Sequence, residues 1–335
     1  MDLSCQVTGF LIAGQWPLVT IHRRIADSRL RRFAVKIAID PYMHRQLPLA
    51  DLCRKIADIG FEYIELSPRE DFLPWWVRPR AHKERVNEFK QALNDHGLKL
   101  ASVLPMYRWA SPHEDERQAA VRYWIEAIRV TAEMGCDTMN SEFGRGPSPD
   151  RGHRINCCGG MHTHEHSEAA WWRSMEELVP VFEREGVTLN MEPHPEDWCE
   201  TLQPAIDMLK SVGSKNVKFL YCAPHTFYFG TDMKKMIRQA GSMIAHVHVA
   251  DTYNHKASSG LRYIVNPPGA QVTVHQHMDL YQGEIDWDVF FSSLAEVGFD
   301  GIVTACVFGW EERADESGRF MRQEIQKYVD KYWKS

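Results

Sequence analysis

From Ala34 onward the chain alternates short β-branched runs with longer amphipathic stretches. Alternate residues of a strand face one side, whereas residues three and four apart share one face of a helix, so the two patterns can be told apart. Eight strands emerge: Val35–Ile39, Tyr63–Leu66, Leu98–Leu104, Thr138–Ser141, Thr188–Glu192, Lys218–Tyr221, His246–Ala250 and Ile302–Cys306. Strands that alternate with helices pair in parallel, and eight such units close into a barrel. The expected fold is therefore a single-domain α/β structure, a (β/α)8 TIM barrel over residues 34–335, preceded by an N-terminal extension over 1–33. A local grammar recurs in which an amphipathic helix runs into a glycine and then a buried strand, at Gly60, Gly97, Gly186 and Gly298. Glycine past a helix end takes the left-handed cap. Two long loops, over 143–167 and 252–285, follow the fourth and seventh strands, at the carboxyl end where barrel loops shape a pocket.

Composition narrows the function classes. The 335 residues are 44% hydrophobic and 25% charged, with net charge −6 and pI near 6.2, as in soluble globular proteins. No basic stripe for nucleic acid is visible, and no run of about twenty apolar residues offers a membrane span. Small molecules and other proteins, including further copies of the chain, are the expected partners. Eight cysteines in a chain of this length form no disulfide framework, so a reducing, cytoplasmic setting is expected. Arg23-Arg24 through Arg31-Arg32 resembles a sorting signal only superficially, because no small-residue cleavage site follows a basic start.

Candidate chemistry gathers at the strand ends. His246 and His248 alternate along the seventh strand and point the same way; His248 is nearer the mouth, and His246 sits one layer deeper. Glu192 ends the fifth strand, where Pro193 enforces an extended exit, and it is expected to bind a metal and to take part in catalysis. His194 is expected to touch substrate or to support a ligand. Glu142, at the mouth of the fourth strand, is expected to act as general base or substrate contact, with Arg145 of the Gly144-Arg145-Gly146 turn beside it. Glu65 ends the second strand and is expected either to hold a sugar hydroxyl or to orient another residue. His225 follows the sixth strand within reach of a ligand or metal, and Cys222 reads as a small buried residue rather than a soft ligand.

Three further groups lie on loops. His277, in Val274-His275-Gln276-His277, is expected to enter the same site as metal ligand and catalytic group. Trp75 and Trp76 are expected to stack on a sugar or aglycone, or else to cap the barrel with apolar surface. The cluster His162-Thr163-His164-Glu165-His166 fits no closed zinc spacing and reads as a pocket lid.

Taken together, Phe61 to Glu65, Leu189 to Glu192, Phe219 to His225, His246 to Thr252, Gln282 to Asp286 and Gly298 to Gly301 resemble the xylose-isomerase-like barrels of the sugar isomerase and epimerase group. The resemblance covers roughly residues 34 to 332. It implies proton abstraction beside a keto-sugar carbonyl and a divalent metal: manganese first, or cobalt, magnesium or zinc. It also implies ligands from strands five to eight, a Glu, an Asp, a His and a Glu. Glu192 and His248 match, whereas Cys222 and Cys306 stand in the Asp and second Glu positions. The replacements expected are His225 and His277, with Glu142 as a further candidate. Loss of the second carboxylate also gives the chain a likeness to the α-type subunit of C-glycoside deglycosidases, lyases of 3-oxo-glycosides that work with a small partner subunit.

Overall fold

The computed structural model describes residues 35–74, 82–144, 163–195, 197–254, 276–309 and 311–333. Its centre is a closed barrel of eight strands in chain order: β1 (Lys36–Ile39), β2 (Tyr63–Leu66), β3 (Lys99–Val103), β4 (Thr138–Glu142), β5 (Thr188–Glu192), β6 (Val217–Cys222), β7 (Ile244–Val249) and β8 (Ile302–Ala305). Every pairing is parallel, including the closing one between β1 and β8. All eight expected strands form: β2 and β5 have the expected bounds, and the ends of the others shift by one or two residues.

The helices outside are α1 (Leu49–Ile59), α2 (Lys83–Asp95), α3 (Glu114–Glu133), α4 (His164–Glu185), α5 (Leu202–Val212), α6 (Ala223–Tyr228), α7 (Met233–Ala240), α8 (Trp287–Glu296) and α9 (Ala314–Trp333). Two of the expected stop signals are clear: α1 ends at Gly60 with φ +104° and α4 at Gly186 with φ +68°. Only glycine takes such angles without strain.

Strand alternation divides the buried residues into two populations. Ile37, Ile39, Ile64, Leu66, Val247 and Val249 join the large apolar core between barrel and helices, while Ala38, Ala101 and Ile302 form a separate small cluster with Tyr63. Above that cluster the interior is polar, with Glu65, Ser102, Asn140, Asn190, His246 and Thr304 all buried. A polar barrel interior is stable only when each group finds a partner. Two register slips help aim the side chains, one between Ile64 and Glu65 against β3 and one between Phe219 and Leu220 against β7. Such bulges redirect the residues that follow them.

One expectation is corrected here. His164 and His166 form no lid: they open α4, where Thr163 and His166 make a reciprocal capping box, the Thr163 amide donating to His166 Nδ1 at 3.2 Å. An imidazole three residues after a threonine substitutes for the usual Glu or Gln of that motif. The helix therefore begins inside the stretch expected to be loop. His162, Trp75, Trp76 and Arg145 lie outside the described residues.

Candidate active site

Glu65 lies in the polar interior of the barrel. It is fully buried, and Ser102 Oγ, Asn140 Nδ2, His246 and His248 all reach its carboxylate. Burial alone would raise its pKa, but His248 and His246 and the hydrogen bonds bring it down to about 2. His248 Nε2 donates to Glu65 Oε1 at 2.9 Å, which turns its Nδ1 toward Glu192 Oε1, 3.5 Å away. A carboxylate behind a histidine fixes the ring and its protonation pattern, as it does behind metal-binding histidines. Of the two roles expected for Glu65, the geometry is that of an orienting group. His246 is held apart from the mouth, with Nδ1 3.2 Å from Asn140 Nδ2 and Nε2 2.7 Å from Thr304 Oγ1.

One layer up, Glu192 Oε1 lies 2.8 Å from His225 Nδ1, and both residues are buried. Burial resists ionisation of Glu192, yet His248 and His225 beside it hold the carboxyl well below its ordinary range. Burial also acts on His248, but Cys306, Glu65 and Glu192 outweigh it and raise the imidazole well above 6.5. Burial pushes His225 down to about 4 and holds His277 well below its usual value, so both rings are neutral at neutral pH.

His277 arrives from the long loop after β7. Asp251 and Met278 form an antiparallel bridge, with amide-to-carbonyl distances of 2.8 and 3.0 Å, and Gln276 N donates to Thr252 Oγ1 at 3.0 Å. Gly283 makes the close approach possible: a Cβ there would stand 2.2 Å from Asp251 Oδ1 and 2.3 Å from the Thr252 carbonyl. His277 Nδ1 lies 2.7 Å from the Cys306 carbonyl, which only accepts, so the ring carries its proton on Nδ1. Its bare Nε2 points at His225 Nε2, 3.1 Å away. Phe308 stacks on the outer face of His277 at 4.6 Å.

The mouth holds a second group of polar side chains. Glu142 pairs in register with Glu192, and its side chain keeps 15% of its exposure. His194 Nε2 lies 3.8 Å from Glu142 Oε1, and the His194 ring meets that of His225 edge to face at 4.4 Å. Asp197 accepts from the Gly144 amide at 3.0 Å and lies with Glu142 and His194 in one cluster of possible ligand atoms.

A model of the xylose isomerase-like TIM barrel matches residues 53–324. The chain belongs to that family. At the level of sequence it is 25% identical to an inosose isomerase of Bacillus velezensis over 162 residues, 47% of this chain and 54% of the relative. The inosose isomerase of Bacillus subtilis aligns over the same shares at 24% identity, so the match spans about half the length of these curated relatives. Among solved structures, a D-psicose 3-epimerase from Clostridium cellulolyticum H10 with D-tagatose superposes with a TM-score of 0.67. It shares 18% identity, covering 88% of this chain and 99% of that one. The IOLI protein with a bound zinc atom gives 0.68 at 17% identity, covering 89% and 99%. At these identities the solved structures establish the xylose isomerase-like fold.

Within that barrel the structure brings Glu142, Glu192, His194, His225, His248 and His277 to one mouth, over Glu65. Several contributors were not singled out from the sequence. Asn140 and Asn190 repeat an Asn-x-Glu pattern on β4 and β5, pair in register, and hydrogen-bond to each other at 2.9 Å. Asp40 follows β1 and is buried beside Ser67, whose Oγ lies 2.6 Å from both carboxylate oxygens. A polar residue directly after a buried strand was the available signal for Asp40.

Proposed function

We propose that this barrel is a divalent-metal-dependent sugar isomerase or epimerase that abstracts a proton beside a keto-sugar carbonyl. The observation that carries the reading is the convergence of buried Glu192, His225, His248 and His277 at the carboxyl ends of the barrel strands. Their donor chemistry fits a divalent cation: a carboxylate whose pKa is lowered, two imidazoles held neutral, and a third oriented from behind by Glu65. Bound there, the cation would act as a Lewis acid toward the substrate carbonyl. Manganese is the first ion to test there, with cobalt, magnesium and zinc as the others.

Glu142 is the carboxylate at the mouth that keeps some exposure, and it takes the proton from the carbon next to the carbonyl. The carbonyl accepts the electron pair left behind. Returning the proton to the former carbonyl carbon, while the hydroxyl proton passes from one oxygen to the other, gives isomerisation; returning a proton to the same carbon on its opposite face gives the epimer. His194 positions Glu142 and borders the substrate, and Arg145, Trp75 and Trp76 complete substrate binding in this reading.

A second reading rests on Cys306, which stands where a second carboxylate would serve two-base epimerisation. With one base, the same abstraction expels a β-substituent from a 3-oxo-glycoside, the leaving group departing with its bonding pair. That lyase would work with a small partner subunit, whereas the isomerase needs only further copies of this chain. Both versions act in the cytoplasm.

Solvent-deuterium exchange into a panel of keto-sugars and 3-oxo-glycosides tests the mechanism. Deuterium beside the carbonyl supports it, release of an aglycone selects the lyase, and no incorporation with any substrate sinks proton abstraction. Glu192→Gln and His248→Ala are expected to lose bound metal. Folded variants with unchanged metal content would remove the metal site from the proposal.

A further inference from the structure

Cys222 is the last residue of β6, buried, and in register with His248 of β7. Its sulfur belongs to two sets of possible ligand atoms: Glu192, Cys222 and His248 in one, Cys222, His225 and His277 in the other. Within each set the ligand atoms lie within 4.8 Å of one another. Cys222 is thus the residue common to both.

Two of the surrounding rings have one nitrogen held from behind, His248 Nε2 by Glu65 and His277 Nδ1–H by the Cys306 carbonyl. A cation would be met by the other nitrogens, His248 Nδ1 on displacing its proton and His277 Nε2 in exchange for its contact with His225. They belong to different sets, and the Cys222 sulfur is shared by both. His225 has the same division of labour when Nδ1 faces Glu192 and Nε2 faces inward.

We propose that Cys222 is a metal ligand, and that its sulfur makes this centre select zinc or cobalt over manganese or magnesium. The inference rests on the metal-dependent reading above and names the ion class that reading leaves open. Thiolate is a soft donor that favours zinc and cobalt, while manganese and magnesium favour carboxylate and water oxygens. Cys222 without a cation stays a thiol, its pKa raised by burial and by Glu192, and a coordinated thiol gives up its proton.

The test is cobalt titration of the full chain after chelator treatment, followed by absorbance, with zinc and manganese competed against each other at equilibrium. A near-ultraviolet sulfur-to-cobalt charge-transfer band is expected beside the visible cobalt bands, with zinc preferred over manganese by at least about a hundredfold. In Cys222→Ser the charge-transfer band disappears while visible bands persist, and Cys306→Ser retains both. Cys222→Asp narrows the zinc preference by about tenfold or more. Visible bands without charge transfer in the unaltered chain overturn the sulfur ligand and leave the metal reading intact. Loss of the band in Cys306→Ser and its survival in Cys222→Ser overturns the assignment to Cys222. Absence of any cobalt binding overturns the inference and the metal reading together. The unaltered chain supplies these first and last outcomes, so they do not depend on a variant folding.

Discussion

His225 and His277 face one another Nε2 to Nε2 at 3.1 Å, and the Cys306 carbonyl fixes the His277 proton on the far nitrogen. If His225 donates to His277, its Nδ1 turns a lone pair toward the Glu192 carboxylate 2.8 Å away. If Nδ1 carries the proton instead, two lone pairs meet. A neutral His225 satisfies one neighbour at a time, whereas a cation satisfies both. Metal at a hundredfold over its dissociation constant should therefore stabilise the chain by about 2.7 kcal/mol. Thermal melts with zinc, with manganese and after chelation measure it, and the double variant His225→Ala, His277→Ala should flatten the response.

Glu65 lies behind His248 of the proposed metal site. Glu65→Gln keeps the shape but offers one acceptor oxygen where Ser102, Asn140 and His248 all donate. Unmatched buried donors cost about 1–3 kcal/mol each, so denaturant midpoints should fall. Losing a carboxylate behind a metal-binding histidine typically lowers affinity about 10- to 100-fold. Competition with a chelating dye reads the affinity separately from stability, and unchanged affinity would make Glu65 purely structural.

Glu142 separates binding from chemistry. Glu142→Gln should cut solvent-deuterium incorporation by about 10²- to 10⁴-fold, the range of a general base. Metal content, measured on the same preparation, should stay that of the unaltered chain. Equal loss of both would move Glu142 from proton transfer to the metal centre.

Asp40 provides a pH signature. Burial, and then the charge of Glu65, raise its carboxyl to about 7, against the ordinary 3.8 of an aspartate. Between those values the folded chain holds a proton that the unfolded chain has released. Stability from this group is thus complete below pH 3.8 and lost as pH rises through about 7. Asp40→Asn removes the charge, so the variant should gain on the unaltered chain by up to about 1.4 kcal/mol for each pH unit climbed within that window. Denaturation at pH 6 and pH 8 checks the sign; an Asn variant that loses ground at the higher pH contradicts it.

The barrel was legible because it rests on period. Alternation is local and recurs over eight strands, and glycine stops recur at Gly60, Gly97, Gly186 and Gly298. The strand-end residues Glu192 and His248 were legible for a related reason, since a polar group at the end of a buried strand is costly without a use. The place of Cys222 in two groups of possible ligand atoms was not, because a thiol looks like any small apolar residue until its neighbours are known. Glu65 left two roles open in the sequence because its partners come from β3, β4 and β7, at separations of 37, 75 and 183 residues. The histidines that open α4 misled for the opposite reason: their clustering imitated a site, while His166 makes the contact of a helix cap.

The same distinction between local pattern and distant contact gives a prediction for Asp251. It accepts from Thr252 N at 2.9 Å, Tyr281 N at 2.8 Å, Ile285 N at 3.2 Å and Trp287 Nε1 at 3.0 Å, tying the returning segment to the exit of β7. Asp251→Asn exchanges one acceptor oxygen for a donor and leaves at least one of those groups unmatched, at about 1–3 kcal/mol each. The penalty falls on residues 276–287, which carry His277. Hydrogen exchange should therefore lose protection in that segment before the barrel strands, and metal affinity should fall although residue 251 touches none of the ligands. Uniform loss of protection across the barrel would instead make Asp251 a general stabiliser with no specific hold on His277.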